Sequence, residues 1–145
     1  MKTKEDMNVA LVEENPVFRT TLRAILNRRF QNLAPLETES MESLEKIMQM
    51  GIFDIIIIGF SDEQSEINES ALKMAMEKNP FSAFIVYAST PDHKQVRSLI
   101  RMGVKGYLPK YACADELVNC VRTVFSGNPY LSPQILVSLH HTTAY

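Results

Sequence analysis

Four consecutive isoleucines at positions 55–58 constrain the fold of this chain more than any other feature. A strand with one face in water alternates apolar and polar residues, and this run has no polar position. Both of its faces must therefore be buried, as in the middle of a parallel sheet that helices cover on both sides. The run predicts an α/β fold with this strand near its centre.

Apolar blocks alternate with amphipathic segments along the whole chain, and this alternation is typical of a parallel sheet covered by helices. The predicted strands cover residues 9–12, 33–38, 54–60, 83–88 and 106–108. The predicted helices cover residues 16–30, a segment from Ser40, 66–77, 92–102 and 114–125, with a short helix expected after Pro133. Five strand–helix units predict a three-layer, doubly wound α/β domain.

Size and charge limit the classes of function. The 145 residues are enough for one domain, predicted over 8–127, followed by a tail or short helix over 128–145. A formal net charge of −2 lacks the excess of Lys and Arg with which proteins hold nucleic-acid phosphates. No apolar run reaches the roughly 18 residues that cross a bilayer, and the first residues do not open a secretion signal. We therefore expect a cytoplasmic protein that does not contact membranes and does not itself bind DNA.

The carboxyl ends of the strands are where ligands and chemistry gather in an open parallel sheet. The residues at these ends are Glu13 and Glu14 after the first strand, Gly59 in the third, Ala88 and Ser89 at the fourth, and Lys110 after the fifth. We expect them to meet at one edge of the sheet.

Four motifs occur at these strand ends and after the last predicted helix: VALVEENP at 9–16, FDIIIIG at 53–59, MGVKGYLPK at 102–110 and GNPYLS at 127–132. Together they resemble the receiver domain of bacterial two-component response regulators of the LuxR or NarL type. The resemblance implies a flavodoxin-like (βα)5 fold whose five-stranded parallel sheet has the order 2-1-3-4-5. It also implies signal transduction and transcription regulation, with 128–145 as the start of a linker to a DNA-binding domain outside this chain.

Receiver phosphorylation needs a carboxylate nucleophile, a divalent cation held by acids, and a lysine. By resemblance, Glu13 and Glu14 match the metal-holding acids and Lys110 matches the lysine. Gly59 stands at the phosphoacceptor aspartate and has no side chain to phosphorylate. The chain is therefore interpreted as a degenerate receiver, or pseudo-receiver. We expect Lys110 to pair with Glu13 or Glu14. Because a third acid is missing, we expect Glu13 and Glu14 to bind Mg²⁺ only weakly, and the chain to carry no cofactor.

The residues that would respond to a bound phosphoryl group also depart from the family pattern. Ala88 matches the position of a hydroxyl, although Ser89 lies next to it, and Tyr107 matches the aromatic residue that reorients on activation. Because Ala88 offers no hydroxyl, we expect Tyr107 to be fixed or partly exposed rather than a working switch.

Two alternatives stay open. Asp62 or Glu63, in the loop after Gly59, could be phosphorylated in place of the missing aspartate, whereas Asp54 lies about 16 Å away at roughly 3.3 Å per residue. The chain could instead be a flavodoxin-like module for a small ligand, although no glycine-rich phosphate loop follows any strand. We find no nucleophile paired with a base, and we expect no enzymatic activity.

Basic residues in the predicted fourth helix suggest a partner surface. Lys94, Arg97 and Arg101 share one helix face, and Lys105 follows. A solvated helix face gives the same pattern. Receivers of the resembled family pair through the fourth helix, fifth strand and fifth helix, or through the first and fifth helices. We therefore expect a protein partner or a homodimer at one of these faces.

Overall fold

The computed structural model describes residues 7–31, 33–49, 51–60, 69–89 and 93–143, and for Ser138 and residues 140–143 the backbone alone. Strands and helices alternate through these ranges. The strands are β1 (Val9–Val12), β2 (Leu36–Thr38), β3 (Ile55–Phe60), β4 (Ala83–Ala88), β5 (Gly106–Pro109) and β6 (Tyr130–Leu131). The helices are α1 (Pro16–Arg29), α2 (Met41–Met48), α3 (Glu69–Lys78), α4 (His93–Met102), α5 (Ala114–Phe125) and α6 (Pro133–Thr143).

The strands of the described residues form one parallel sheet in the order β2-β1-β3-β4-β5-β6. The predicted order of the first five strands is confirmed, but the prediction of a five-stranded sheet is wrong. The sixth strand, β6, lies in the segment predicted as a tail and pairs with the outer edge of β5. Because β6 has two residues, it is too short to show a period-two pattern in the sequence.

The isoleucine run lies at the centre of the sheet, as predicted. β3 pairs with β1 on one side and β4 on the other, and all four isoleucines are buried. Ile55 and Ile57 pack with α1 and α5, whereas Ile56 and Ile58 pack with α2, α3 and α4. Burial of each such side chain contributes about 1.5–3 kcal/mol, so this strand anchors both apolar layers.

Local signals in the sequence explain where several elements begin and end. The Asn15 side chain accepts hydrogen bonds from the backbone N–H groups of Val17 and Phe18 and caps α1, whose first residue is proline. Ser40 caps α2 in the same way. After α5, Gly127 has φ +97°, a conformation that favours glycine, and the chain turns toward β6.

The predicted start of the second strand differs from the structure. β2 begins at Leu36 rather than at residue 33. The N–H of Leu33 donates to the Phe30 carbonyl instead of to a neighbouring strand, and Pro35 has no N–H for a sheet ladder. The predicted start of the third helix at residue 66 lies outside the described residues. Among the helices that the structure describes, none is long and apolar enough to span a membrane.

Candidate functional site

Glu13 is a fully buried acid at the carboxyl end of β1. Its Oε1 accepts a hydrogen bond from the Tyr87 hydroxyl at 2.7 Å and lies 3.3 Å from Lys110 Nζ. Its Oε2 accepts from the Asn15 N–H at 3.4 Å. The backbone carbonyl of Glu13 also accepts a 2.7 Å bond from Arg19. A buried carboxylate is costly unless it is paired and hydrogen-bonded, and here both conditions are met.

Tyr87 occupies the space beside Gly59. The two residues are direct partners in the β3–β4 ladder. A Cβ atom added to Gly59 would lie closer than 3.0 Å to the Cζ, Oη and Cε1 atoms of Tyr87, a distance that real Cβ atoms essentially never show. The phenol ring therefore fills the place where any side chain at position 59 would begin. Because Gly59 has no side chain, the ring can extend over it to reach Glu13.

Lys110, the residue that follows β5, is the third side chain of this buried group. Its backbone N–H donates to the Ala88 carbonyl at 3.0 Å, and its side chain is 6% exposed. The ammonium lies 4.7 Å from the ring centroid of Phe18 and 5.6 Å from that of Tyr87. Two aromatic faces and one carboxylate thus surround the charge, an arrangement that stabilises a desolvated cation.

Tyr87 serves as a neutral hydrogen-bond donor. Burial, the hydrogen bond to Glu13 and the negative charge of Glu13, in that order, raise its pKa far above the ordinary value. The phenol thus keeps its proton, and the cluster of Glu13, Tyr87 and Lys110 combines one anion, one cation and one neutral hydroxyl. We call these three residues the pocket cluster.

The other residues predicted at this edge do not join the pocket cluster. Glu14 is exposed, and Ser89 is half-buried. Ala88 and Tyr107 are buried in the apolar layer with α2, α3 and α4, whereas Tyr87 packs in the opposite layer with α1 and α5. Tyr107 is thus enclosed by core residues on the far side of the sheet from Tyr87. Asp62 and Glu63 lie outside the described residues.

The described residues do not fit a divalent cation. The carboxylate of Glu13 already binds Tyr87, Lys110 and the Asn15 backbone, and Gly59 supplies no third oxygen. Across the described ranges, no three His, Cys, Asp or Glu side chains are grouped so that they could hold a metal ion. Mg²⁺ prefers several oxygen ligands in near-octahedral geometry, and an exposed Glu14 alone does not provide them.

The basic residues of the predicted partner surface differ in their exposure. Lys94 and Arg101 are exposed on α4, whereas Arg97 is half-buried. Lys105 is exposed immediately before β5, and its backbone N–H donates to Phe84 at the opposite edge of the sheet from Lys110.

Tyr87 and Phe18 are the site residues that the sequence did not reveal. Tyr87 lies in an apolar strand and Phe18 in the apolar stripe of the predicted first helix, so each has the appearance of a core residue. The signal that could have identified Tyr87 is its register: once β3 and β4 are aligned, the aromatic residue stands directly beside the glycine that replaces an expected acid.

Comparison with known proteins supports this architecture. No protein-family model matches the chain. A two-component response regulator of the LuxR family from Aurantimonas sp. SI85-9A1 superposes with a TM-score of 0.85 at 16% identity, over 95% of this chain and 98% of that chain. RcsB of Salmonella typhimurium superposes with a TM-score of 0.82 at 15% identity, over 92% of this chain and 69% of that chain.

The fold is that of a response-regulator receiver domain. In sequence, this receiver-like chain is 28% identical over 136 residues to the oxygen regulatory protein NreC of Staphylococcus carnosus. The match covers 92% of the chain and 61% of NreC, so the chain spans about three fifths of the length of this relative.

Proposed function

We propose that the chain is a degenerate receiver that acts in signal transduction and transcription regulation through phosphorylation-independent contacts with protein partners or by dimerisation. Its similarity to NreC and its receiver fold support the regulatory part of this proposal. RcsB, which shares the fold, forms dimers on DNA. DNA contact by the whole protein would require a domain other than the one described here, and the proposed location is the cytoplasm.

The filled space beside Gly59 is the observation that carries the proposal. Phosphoryl transfer to a receiver requires a carboxylate in line with the donor, a cation and a free lysine. Position 59 has no carboxylate, the ring of Tyr87 occupies its place, and Lys110 is paired with Glu13. The groups that would bind a phosphoryl group instead bind one another.

The pocket cluster has a structural role in this proposal. It links the carboxyl ends of β1, β4 and β5 through a buried hydrogen bond and an almost fully buried ion pair. A receiver whose strand ends are fixed in this way presents a constant surface to its partner. Regulation would then depend on the concentration of the partner or on how the partner binds this surface, and not on a modification at the carboxyl ends of the strands. The described strand ends hold no nucleophile paired with a base, and we propose no enzymatic activity.

The proposal is tested by incubating the protein with acetyl phosphate and Mg²⁺ and measuring its intact mass. We expect no phosphoryl group to be added. Addition of one hydroxylamine-labile group would contradict the proposal, and peptide mapping would then show whether Asp62 or Glu63 carries it. A D62N/E63Q variant serves as the matched control, because it removes both substitute acids and leaves the pocket cluster intact.

A further inference from the structure

A surface groove lies between α2 and α3, on the side of the sheet opposite to α1 and α5. Its volume is about 520 Å³, and its apolar lining consists of Met41, Leu44, Met48, Ala71, Met74 and Ala75. Leu44 is buried, and Met41 and Met48 pack against the same core layer, so the core fixes the floor of the groove. Methionine side chains adapt to partners of varied shape. We call this feature the α2–α3 groove.

Exposed apolar residues follow the two helices at one end of the α2–α3 groove. Gln49 and Asn79 line this end. Ile52 comes three residues after Gln49 and is 72% exposed, and Phe81 comes two residues after Asn79 and is 87% exposed. Because a chain advances at most roughly 3.6 Å per residue, both residues lie near this end of the groove. The apolar surface therefore continues past the cavity.

The two loops that carry Ile52 and Phe81 are held together. The Ser82 hydroxyl donates to the Phe53 carbonyl at 2.6 Å, which places these loops side by side. Met74, inside the groove, is itself 55% exposed. Single exposed apolar residues are ordinary, but a group of them beside an apolar cavity is typical of a protein-interaction site. A small ligand that filled the cavity would leave the two loops uncovered, whereas a segment of a partner protein could cover both.

The charged residues of the α2–α3 groove leave one carboxylate unbalanced. Glu42, Glu45 and Lys78 line the groove. Lys78 pairs with Glu45, whereas none of the ion pairs among the described residues includes Glu42. Glu42 is exposed and lies three residues before Glu45, on the same side of α2. A Lys or Arg carried by an apolar segment would complement this surface.

We propose that the α2–α3 groove binds an amphipathic helix of a partner protein, with its apolar face in the groove and a Lys or Arg beside Glu42. Two helices form the groove, and their backbone groups bond within each helix, so the occupant contacts side chains rather than a free strand edge. Such an occupant must satisfy its own backbone groups, as a helix does. This inference rests on the proposed interaction function and names a surface for it and the chemistry of the partner.

The test uses a synthetic peptide of leucine and lysine, about 15 residues long and patterned as an amphipathic helix, with one tryptophan. The chain itself contains no tryptophan, so the fluorescence of the peptide reports binding. We expect the full chain to bind this peptide, and the amides of α2 and α3 to exchange more slowly in the complex. Met74→Asp should weaken binding about tenfold or more, because it places a charge in the apolar groove. Leu136→Asp adds the same charge at a 50% exposed residue of α6 and should change binding by less than about twofold.

The charge of Glu42 is tested separately. Glu42→Gln should weaken binding about two- to fivefold and reduce its dependence on salt, because exposed ion pairs are weak and screened. Glu77→Gln makes the same change at an exposed residue of α3 outside the groove lining and should leave binding unaltered.

Three results would overturn the proposal: a dissociation constant for the peptide above about 1 mM, equal binding of a leucine–glutamate peptide of the same pattern, or equal effects of M74D and L136D. Two more would overturn it by assigning the groove to another occupant. Self-association of the unchanged chain that M74D abolishes would indicate a second copy, and binding of hexylamine as tight as that of the peptide would indicate a small ligand.

Urea unfolding checks that M74D is folded. If it is not, Met74→Ser replaces it, with a smaller loss of binding expected in the same direction. None of these measurements uses a phosphodonor, so failure of the groove proposal would leave the labelling test of the proposed function unaffected.

Discussion

Tyr87 lies directly beside Gly59 on the neighbouring strand, and its ring fills the volume that a side chain at position 59 would need. The hydroxyl of the same ring donates to Glu13. One aromatic residue thus both fills the expected phosphoacceptor position and binds the acid that the resemblance assigns to metal binding.

Tyr87→Phe should destabilise the fold while it retains the ring. The buried carboxylate of Glu13 would keep Lys110 but lose its hydroxyl donor, and a hydrogen bond to a charged group contributes about 1.5–3 kcal/mol. Urea unfolding measures the change in the free energy of unfolding. Tyr111→Phe is the matched control, because Tyr111 is 64% exposed, and its effect should stay within about 0.5 kcal/mol. Equal effects of the two substitutions would contradict the assigned role of the Tyr87 hydroxyl.

Gly59→Ala should be destabilising because of Tyr87. The added methyl group overlaps the phenol ring, and overpacking of this kind costs about 1–3 kcal/mol. Gly51→Ala provides the control, since nothing lies within 4 Å of a Cβ at that position. In a double-mutant cycle with Tyr87→Ala, the cost of Gly59→Ala should largely disappear. An additive cycle would show that the ring and position 59 do not compete for space.

Lys110→Met should be the most damaging single change in the pocket cluster. It removes the cation from a fully buried Glu13, and breaking a buried ion pair at one partner costs about 3–5 kcal/mol. Lys105→Met changes an exposed lysine just before the same strand and should shift the unfolding free energy by no more than about 0.5 kcal/mol. A loss below about 1 kcal/mol for Lys110→Met would argue against the ion pair as a structural link.

Stability should decline in alkali because of two buried groups. Burial, and to a smaller extent the charge of Glu116, raises the pKa of the Cys120 thiol from 9.0 to about 12. Burial and Glu13 raise the pKa of Tyr87 above its ordinary 10.0. Above these ordinary values the unfolded chain loses protons that the folded chain keeps. The stability that these two groups contribute is thus fully present below about pH 9. As the pH rises above the ordinary pKa of each group, that group lowers the free energy of unfolding by up to about 1.4 kcal/mol per pH unit.

Unfolding measured between about pH 8 and 11 separates the two groups. Cys120→Ala should remove the part of the decline that begins near the thiol's ordinary pKa of 9.0. Tyr87→Phe should remove the part that begins near 10.0. Parallel declines in the unchanged chain and both variants would show that neither group is responsible.

The sequence predicted the central features of the fold because they depend on long or repeated patterns. The isoleucine run identified β3, and the polar residues at the strand ends located Glu13 and Lys110, which the structure brings together. Tyr87 was missed because a tyrosine within an apolar strand resembles an ordinary core residue. Its role depends on the register between β3 and β4, which a single strand does not encode. The short strand β6 was missed because its pairing depends on tertiary contacts with β5.

Phosphodonor labelling of three proteins tests the account most directly: the unchanged chain, Gly59→Asp, and Gly59→Asp combined with Tyr87→Ala. Each is incubated with acetyl phosphate and Mg²⁺, and its intact mass is measured. We predict no labelling of the unchanged chain, little of the single variant because the Tyr87 ring obstructs the new carboxylate, and clear labelling of the double variant, in which the ring is absent and Glu13 no longer binds the Tyr87 hydroxyl. Labelling of the unchanged chain, or equal labelling of the single and double variants, would contradict the account.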